Sequence, residues 1–487
     1  MEDRIDFDNE YALRKTNYIE ELKKLYLDTY EDRFDSYSSL IKNMDNAFSF
    51  RQDALKMIDI SRHHDKTWYH ANNSYGMTVY ADKDSNNLKN LAERVEYFKD
   101  FNISFLNVLP VLKPSLVVAK QGAVPEFVTV DLSYGSVADL HKLCIVCRQN
   151  KISVCFDNIG EYCKPENISK VLENPLLFNK LVYDMLMFAN LGVDIFKINS
   201  QPYKWNDMGL DYPYPNQTIH VTRILRIILD IVCPGCILLC NGEYEVGNSF
   251  SNYGLLVQPE CQLVNNISNK ELLLRAIHER NVTGLRSMID SLTMISRSTV
   301  FLNFIQDPWQ EDWNNLAALC GINSANDRIE LELAVDFDMM LQGYLMMIPG
   351  VPFMYLGDEL GQTEGKSMDW SKTKMRFNTD TCQYKLYNNL MLLKRIRSVY
   401  SVFSRDAKCY TYDTFDPAIL GIVRTCGDSK LFGLFNFSPV QKTAWIIEPG
   451  PYTDIISNDY IRDQSISIKP YGMMWLYNKR PEILEDY

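Results

Sequence analysis

The sequence predicts an α/β protein in which a (β/α)8 barrel lies between a small helical N-terminal domain and a C-terminal antiparallel β-sandwich. Three stretches of different hydrophobic periodicity support this fold class. Up to about residue 66, apolar residues recur at helical spacing. Short apolar runs then alternate with amphipathic segments, and after about residue 400 only short runs between turn residues remain. We therefore predict domains at 1–66, 67–399 and 400–487.

The N-terminal stretch contains no strand-like run. Tyr18–Leu27 and Leu40–Met44 place apolar residues three and four positions apart, which is the spacing of one helix face. These segments predict helices.

The middle stretch alternates predicted strands with predicted helices, an order that indicates a parallel sheet, and eight such units would close a barrel. A doubly wound open sheet is the alternative, but no Gly-x-Gly-x-x-Gly turn follows any of the strands. The predicted strands are Gly76–Tyr80, Phe105–Leu109, Ile152–Phe156, Val193–Ile198, Cys236–Leu239, Thr299–Phe304 and Pro352–Tyr355. The predicted helices include Leu88–Asp100, Val137–Gln149 and Pro175–Leu191.

The last stretch consists of short apolar runs at the regular spacing of an antiparallel β-sandwich. The runs are Lys408–Tyr412, Leu420–Arg424, Leu431–Phe435, Lys442–Ile447, Tyr452–Ile456, Ser465–Ile468 and Gly472–Leu476.

Composition excludes several classes of partner. A formal net charge of −12 and a pI near 5.2 disfavour a general surface for nucleic acids or anionic membranes, which requires clustered Lys and Arg. No stretch approaches the ~20 apolar residues of a membrane span, and the acidic N-terminus lacks the apolar segment of a signal peptide. We expect a cytoplasmic protein with neither a nucleic-acid nor a membrane partner.

Two Cys-x-x-Cys pairs, Cys144/Cys147 and Cys233/Cys236, occur among the twelve cysteines. Such pairs can hold zinc, but a three-residue spacing is also ordinary helix periodicity and the pairs are far apart in the chain. No Asp/Asn cluster of the kind that binds calcium is present. We expect buried free thiols and no metal.

The predicted strand within Gly192–Ser200 reads Gly-Val-Asp-Ile-Phe-Lys-Ile-Asn-Ser. With collinear segments along the chain, it resembles glycoside hydrolase family 13 of the α-amylase superfamily, in particular its amylosucrase and sucrose-hydrolase members. The other segments that carry the resemblance are Leu91–Pro114, Asp139–Asp157, Asn174–Asp194, Pro349–Gly361 and Lys469–Leu476. The resemblance implies the barrel and the sandwich, a sugar substrate and no cofactor.

The catalytic motifs of that family are degenerate here. The resemblance places Lys197 where active members carry an Arg and Asn199 where they carry the nucleophilic Asp. A neutral carboxamide cannot act as the nucleophile of a retaining glycosidase. In the first motif only Asp157 matches, and Tyr162 replaces a His that lines the sugar subsite.

The remaining motifs retain at most isolated carboxylates. Glu243 is a possible remnant of the general acid, whose alignment stays open between Asn241 and Tyr244. In the fourth motif Pro308 and Trp309 replace the His and Asp that bind the glucosyl ring, and Asp307 could serve only if the strand end is re-registered.

Two long loops that build the pocket in the family are also reduced. Only eleven residues separate Tyr162 from Asn174, and twenty-four separate Trp313 from Asp338. Loops after barrel strands carry specificity and exclude water, so their loss predicts a shallow face.

The candidate substrate-binding residues are therefore Asp157, Tyr162, Lys197 and Trp309. Each has a structural alternative: buried polar groups satisfy each other, and the aromatic rings fill the vacated pocket instead of stacking on a sugar.

Three functions remain open at this point. The first is a pseudoenzyme related to amylosucrase, with the barrel kept for binding, regulation or assembly. The second is an active α-glucoside hydrolase or glucosyltransferase on sucrose or α-glucan with relocated carboxylates, namely Glu243, Asp307 and Asp194. The third is a non-catalytic carbohydrate-binding protein. Partners would be a small sugar or α-glucan, another protein, or a second copy of the chain.

Overall fold

The computed structural model describes residues 5–31, 33–65, 68–71, 73–109, 130–156, 171, 173–198, 215–242, 261–294, 299–305, 328–361 and 370–479. The first described elements are three helices, α1 (Phe7–Tyr30), α2 (Phe34–Phe50) and α3 (Asp53–His64). The Asp6 side chain accepts hydrogen bonds from the first free backbone N–H groups of α1, which fixes the start of that helix. The predicted helical character of this stretch is confirmed.

Eight parallel strands close into a barrel, in the order of the sequence, as predicted. The strands are β1 (Gly76–Tyr80), β2 (Phe105–Leu109), β3 (Ser153–Phe156), β4 (Ile195–Lys197), β5 (Ile237–Gly242), β6 (Leu263–Asn266), β7 (Val300–Phe304) and β8 (Val351–Tyr355). Strand β6 was not predicted, because its two apolar residues are followed directly by the two amide residues Asn265 and Asn266. Nearly every strand residue is buried, as expected of a parallel sheet covered by helices.

Helices alternate with the barrel strands. They are α4 (Leu88–Glu93), α5 (Val95–Asp100), α6 (Val137–Gln149), α7 (Pro175–Leu191), α8 (Pro215–Val232), α9 (Asn269–Glu279), α10 (Thr283–Met294), α11 (Arg328–Met347) and α12 (Cys382–Val399). The predicted helices at 137–149 and 175–191 have the predicted limits, whereas the one at 88–100 is broken at Arg94 into α4 and α5. Gly192, with φ 105°, ends α7 in the left-handed conformation that glycine adopts readily.

The C-terminal strands form a six-stranded antiparallel sheet in the order β14-β13-β16-β11-β10-β9 and a two-stranded sheet, β12-β15. Their bounds are β9 (Lys408–Tyr412), β10 (Ile419–Cys426), β11 (Ser429–Asn436), β12 (Lys442–Trp445), β13 (Tyr452–Asp454), β14 (Tyr460–Ile461), β15 (Ser465–Ile468) and β16 (Met473–Tyr477). Apolar side chains of both sheets, such as Phe432, Ala444 and Ile466, form one buried core. This is the predicted antiparallel C-terminal domain.

The chain divides into two compact units. The first comprises 1–69, 79–242 and 252–265, and the second comprises 70–78, 243–251 and 266–487. The domain limits expected from the sequence stay predictions. Within the described residues, no helix is both long and apolar enough to cross a membrane.

Candidate functional site

Strand side chains determine what the barrel can do chemically, because active sites of this fold lie at the carboxyl ends of the strands. None of the eight described strands contains Asp or Glu. Apart from cysteine and tyrosine, their polar residues are Thr78, Asn107, Ser153, Lys197, Asn241, Asn265, Asn266 and Asn303. With one exception, Lys197, these residues are neutral.

The predicted site residues follow the strand ends closely in the sequence. Strand β3 ends at Phe156, β4 at Lys197, β5 at Gly242 and β7 at Phe304. Lys197 lies within the described part of the chain. The other candidates, Asp157, Tyr162, Asn199, Glu243, Asp307 and Trp309, lie outside the described residues, and their roles stay predictions.

Lys197 is the last residue of β4 and is only 2% exposed. It pairs in register with Leu239, the third residue of β5, and it lies at the carboxyl end of β4 itself. A buried ammonium group needs hydrogen-bonding partners to offset the loss of hydration. Lys197 is therefore a buried basic side chain at the carboxyl end of β4.

Amide side chains link neighbouring strands within each unit. In the first unit, Asn265 Nδ2 donates to Asn241 Oδ1 at 2.9 Å, which joins β6 to β5. In the second, Asn266 Nδ2 donates to Asn303 Oδ1 at 3.1 Å, and Asn303 Nδ2 donates to the Pro349 carbonyl at 2.8 Å. Such bonds satisfy buried polar groups without any ionisable side chain. These strand positions therefore stabilise the barrel and supply no acid or base.

Two carboxylates follow β8 in the second unit. The Tyr355 N–H donates to Asp358 Oδ2 at 3.0 Å, and the Gly357 N–H donates to Glu359 Oε2 at 2.8 Å. Burial raises the pKa of Asp358 well above its ordinary value. The cavity that Asp358 lines has a volume of about 10 Å³, which is room for about one water molecule. Asp358 is thus a buried carboxyl group, and the cavity that it lines with other described residues is too small for a sugar ring.

In other ionisable groups inside the second unit, burial also shifts the pKa in the direction that favours the uncharged form. Lys394 Nζ lies 4.3 Å from the centre of the Tyr75 ring, and burial lowers the pKa of Lys394 well below its usual value, although Glu359 opposes this effect. Burial raises the pKa of Asp338 to about 7. The sequence contained no spacing that would have identified these groups, because they come from separate helices. Such shifts are typical of functional sites and also of structural interiors.

Asp194, one of the relocated carboxylates considered for an active enzyme, lies on the wrong end of its strand. It precedes β4, and its carboxylate is 2.6 Å from Arg62 Nη1 and 3.6 Å from Arg148 Nη2. It also accepts a hydrogen bond from the Val154 N–H at 3.0 Å. Burial would raise the pKa of Asp194, but the two guanidinium groups lower it. Asp194 is an ionised structural residue at the amino end of the strands.

The four cysteines of the Cys-x-x-Cys pairs are buried free thiols, as predicted. Burial raises the pKa of Cys144 and Cys147, which disfavours the thiolate form that binds metals. Among the described residues, no group of three or more His, Cys, Asp or Glu side chains is arranged to hold a metal ion.

Sequence comparison relates the chain to enzymes that act on glucosides. No protein-family model matches it. It is 22% identical over 362 residues to a glucosylglycerate phosphorylase of Escherichia coli strain K12, covering 62% of this chain and 64% of that protein. It is 19% identical over 440 residues to alpha-amylase 3 of Dictyoglomus thermophilum, covering 78% of this chain and 87% of that protein. The chain thus spans less than two thirds of the phosphorylase.

Solved structures with a similar fold are α-amylases. The alpha-amylase from H.orenii matches with a TM-score of 0.58 and 15% identity, over 83% of this chain and 99% of that chain. A noncanonic maltogenic alpha-amylase from Thermotoga neapolitana matches with a TM-score of 0.57 and 14% identity, over 84% of this chain and 99% of that chain. At this identity the structures show a shared fold. Together with the sequence similarities, they support a relationship with glycoside hydrolase family 13.

Proposed function

We propose that this protein is a catalytically inactive relative of amylosucrase whose barrel is kept to bind a glucoside. The observation that carries the proposal is the amide Asn199, which follows β4 in the sequence where the resemblance expects the nucleophilic Asp. The described strands, which contain no Asp or Glu, support the same proposal.

Retaining chemistry on an α-glucoside needs two carboxyl groups about 5 Å apart, one as nucleophile and one as acid and base. Glu243 and Asp307 can supply at most an acid and a ring contact, because neither follows β4. The cavity beside Asp358 has room for about one water molecule. The proposed loss of catalysis therefore follows from a missing nucleophile.

The proposed ligand is a small sugar or α-glucan at the carboxyl ends of the strands. Asp157, Tyr162, Lys197 and Trp309 are its proposed contacts. Within this class the proposed ligand is a glucoside with an acidic aglycone, whose carboxylate Lys197 at the end of β4 would contact. The sequence similarity to a glucosylglycerate phosphorylase supports this class of glucoside.

A second candidate is an active enzyme, which the similarity to a phosphorylase and an amylase favours. Glu243 and Asp307 would then be its carboxylates, and turnover would release glucose or transfer the glucosyl group to phosphate. Asp194 has no part in this candidate, because it is bound by Arg62 at the opposite end of β4.

Incubating the purified chain with sucrose, maltooligosaccharides and glucosylglycerate, with and without inorganic phosphate, separates the candidates. We expect no release of fructose, glucose or glucose 1-phosphate above a heat-inactivated control. Turnover that disappears in Glu243→Gln would overturn the proposed loss of catalysis. Titration calorimetry with the same sugars tests binding, and Lys197→Met should weaken glucosylglycerate more than maltose. A flat titration with every sugar would leave assembly as the role, which light scattering of the purified chain would measure.

A further inference from the structure

A second cavity lies in the second unit, near the amino ends of β7 and β8. Its volume is about 360 Å³, within the range of small-molecule sites. Residues from the start of β7, the turn before β8, the end of α12 and the beginning of the C-terminal sheet line it. Five of the described lining residues are basic: His70, Arg397, Arg405, Lys408 and Arg424.

Two of these arginines are buried and lack a carboxylate partner. Arg397 is 4% exposed and Arg424 is 5% exposed, and neither has an acidic group within ion-pair distance among the described residues. Burial and the charge of Arg424 lower the pKa of Arg397 to about 9. Two like charges are therefore held together out of water, which is costly unless something else compensates them.

Part of that compensation comes from the carboxyl end of α11. Arg397 Nη1 and Nη2 donate to the carbonyls of Met346 and Gly350 at 2.6 and 2.7 Å. Arg424 Nη1 donates to the Met347 carbonyl at 3.0 Å. These bonds hold both guanidinium groups rigidly and use only some of their N–H groups, since each guanidinium has five. Arg397 Nε is buried and has no hydrogen-bond partner among the described residues.

Among the described residues, His70 adds to the same cavity a second buried polar atom without a hydrogen-bond partner. Its Nδ1 is buried without a hydrogen-bond partner among the described residues. Burial, with the charges of Arg405, Arg397 and Arg424, lowers the pKa of His70 to about 4. The His70 imidazole is therefore neutral at pH 7, and a bound anion would raise its pKa and favour the protonated form.

Two acids, Asp406 and Asp290, lie near the cavity among the described residues. Asp406 interacts with His70 from an exposed position, and its effect on the pKa of His70 is smaller than that of the three arginines. Asp290 accepts hydrogen bonds from the Thr411 N–H and hydroxyl at 3.0 and 2.8 Å, so its carboxylate is already engaged.

We propose that this cavity binds a phosphate group, either inorganic phosphate or the phosphate of a small metabolite, at a site separate from the carboxyl ends of the barrel strands. Arginine is the side chain best suited to phosphate oxygens, and two pre-oriented guanidinium groups reduce the entropy lost on binding. Apolar residues such as Val300, Phe301 and Phe403 also line the cavity and could contact the organic part of a phosphorylated metabolite. Because it lies at the amino ends of the strands, the bound phosphate would regulate or stabilise the protein and would not react.

The test is titration calorimetry of the full chain with inorganic phosphate, glucose 6-phosphate and glucose, at constant ionic strength. We expect binding of one or both phosphates and none of glucose. The double variant Arg405→Gln, Lys408→Gln removes two rim cations, and it should weaken binding at least about tenfold. Lys469→Gln, which removes one positive charge from an exposed residue that pairs with Asp336, should leave affinity unchanged.

Tighter binding of glucose 6-phosphate than of inorganic phosphate would identify a metabolite as the source, and equal affinity would identify phosphate itself. Arg397→Lys tests the buried cation and should also weaken binding. Should it fail to fold, NMR titration of His70 in the wild type replaces it, because a bound phosphate should raise the His70 pKa. No heat from either phosphate, or equal binding by the rim variant, would overturn the proposal.

Discussion

Arg51 of the first unit and the pair Arg397 and Arg424 of the second are buried arginines whose partners differ. In the first unit, Arg51 Nε and Nη2 contact both oxygens of Asp59 at 2.6 and 2.8 Å. In the second, Arg397 and Arg424 donate to backbone carbonyls and have no carboxylate beside them among the described residues. Burial lowers the pKa of both Arg51 and Arg397, but Asp59 reverses the effect for Arg51.

The contrast separates two uses of the same side chain. A guanidinium group paired with a carboxylate inside the protein is satisfied, and its role is to fix helices and loops. A guanidinium group that lines a cavity and bonds only backbone carbonyls still has N–H donors for an external anion. The residue type alone does not distinguish a structural arginine from an anion-binding one. The hydrogen-bond partner of the guanidinium group does.

The largest effect should come from breaking the buried ion pair between Arg51 and Asp59. Arg51→Ala leaves the buried Asp59 carboxylate uncompensated, and we expect the free energy of unfolding to fall by about 3–5 kcal/mol. Urea denaturation followed by circular dichroism measures this. The exposed pair Glu96 and Lys99 is the control, and Glu96→Gln should change stability by less than about 0.5 kcal/mol. Equal effects of the two variants would contradict the assigned role of burial.

Asp194→Asn should cost about 2–3 kcal/mol at pH 7, because Arg62 loses its charged hydrogen-bond partner. The lowered pKa of Asp194 means that its contribution is present above the unfolded pKa and is lost as pH falls through the folded pKa. The difference between wild type and variant should therefore shrink below about pH 4. Denaturation at several pH values tests this, and a constant difference would argue against an ionised Asp194.

Gly350→Ala should distort the wall of the phosphate cavity. Gly350 has φ +123°, and an added Cβ would lie 2.3 Å from the Phe301 carbonyl oxygen. We expect a loss of about 2–3 kcal/mol and weaker phosphate binding. The matched control is Gly427→Ala, where φ is +56° and no atom lies within 4 Å of the added Cβ, so only about 1 kcal/mol of backbone strain is expected. Thermal melts of both variants compare the two, and equal losses would show that the contact with Phe301 is unimportant.

The smallest effect is the contribution of His70 to the pH dependence of the free energy of unfolding. Its folded pKa of about 4 lies below the unfolded value of about 6.5, so the unfolded chain binds more protons between these values. Wild-type stability should therefore fall as the pH falls from about 6.5 to about 4, and His70→Gln should reduce this slope. Inorganic phosphate should reduce it in the wild type as well. Parallel pH profiles for both proteins would show that His70 is accessible and titrates normally.

The fold was largely predictable, because the periodicity of apolar residues changes where the architecture changes. Strands β1 and β2 have the predicted limits, whereas β6 was missed because Asn265 and Asn266 obscure its apolar character. The Nδ2 groups of those amides donate to Asn241 and Asn303, and no local sequence pattern shows such pairing.

The site was predictable only in part. Lys197 lies at the end of β4 as expected, and the motif residues around it follow strand ends in the sequence. The basic cavity could not be predicted, because His70, Arg397 and Arg424 are separated by hundreds of residues or belong to different elements. Only the folded chain shows that, among the described residues, no carboxylate forms an ion pair with Arg397 or Arg424.

The two guanidinium groups at the end of α11 also affect the order in which the chain can fold during synthesis. The carbonyls of Met346 and Met347 accept hydrogen bonds from Arg397 and Arg424, which lie 51 and 77 positions further along the sequence. A nascent chain that has not yet exposed Arg424 lacks part of the cap of this helix. We therefore expect completion of the carboxyl end of α11 to follow the synthesis of α12 and of the first C-terminal strands, which carry Arg397 and Arg424.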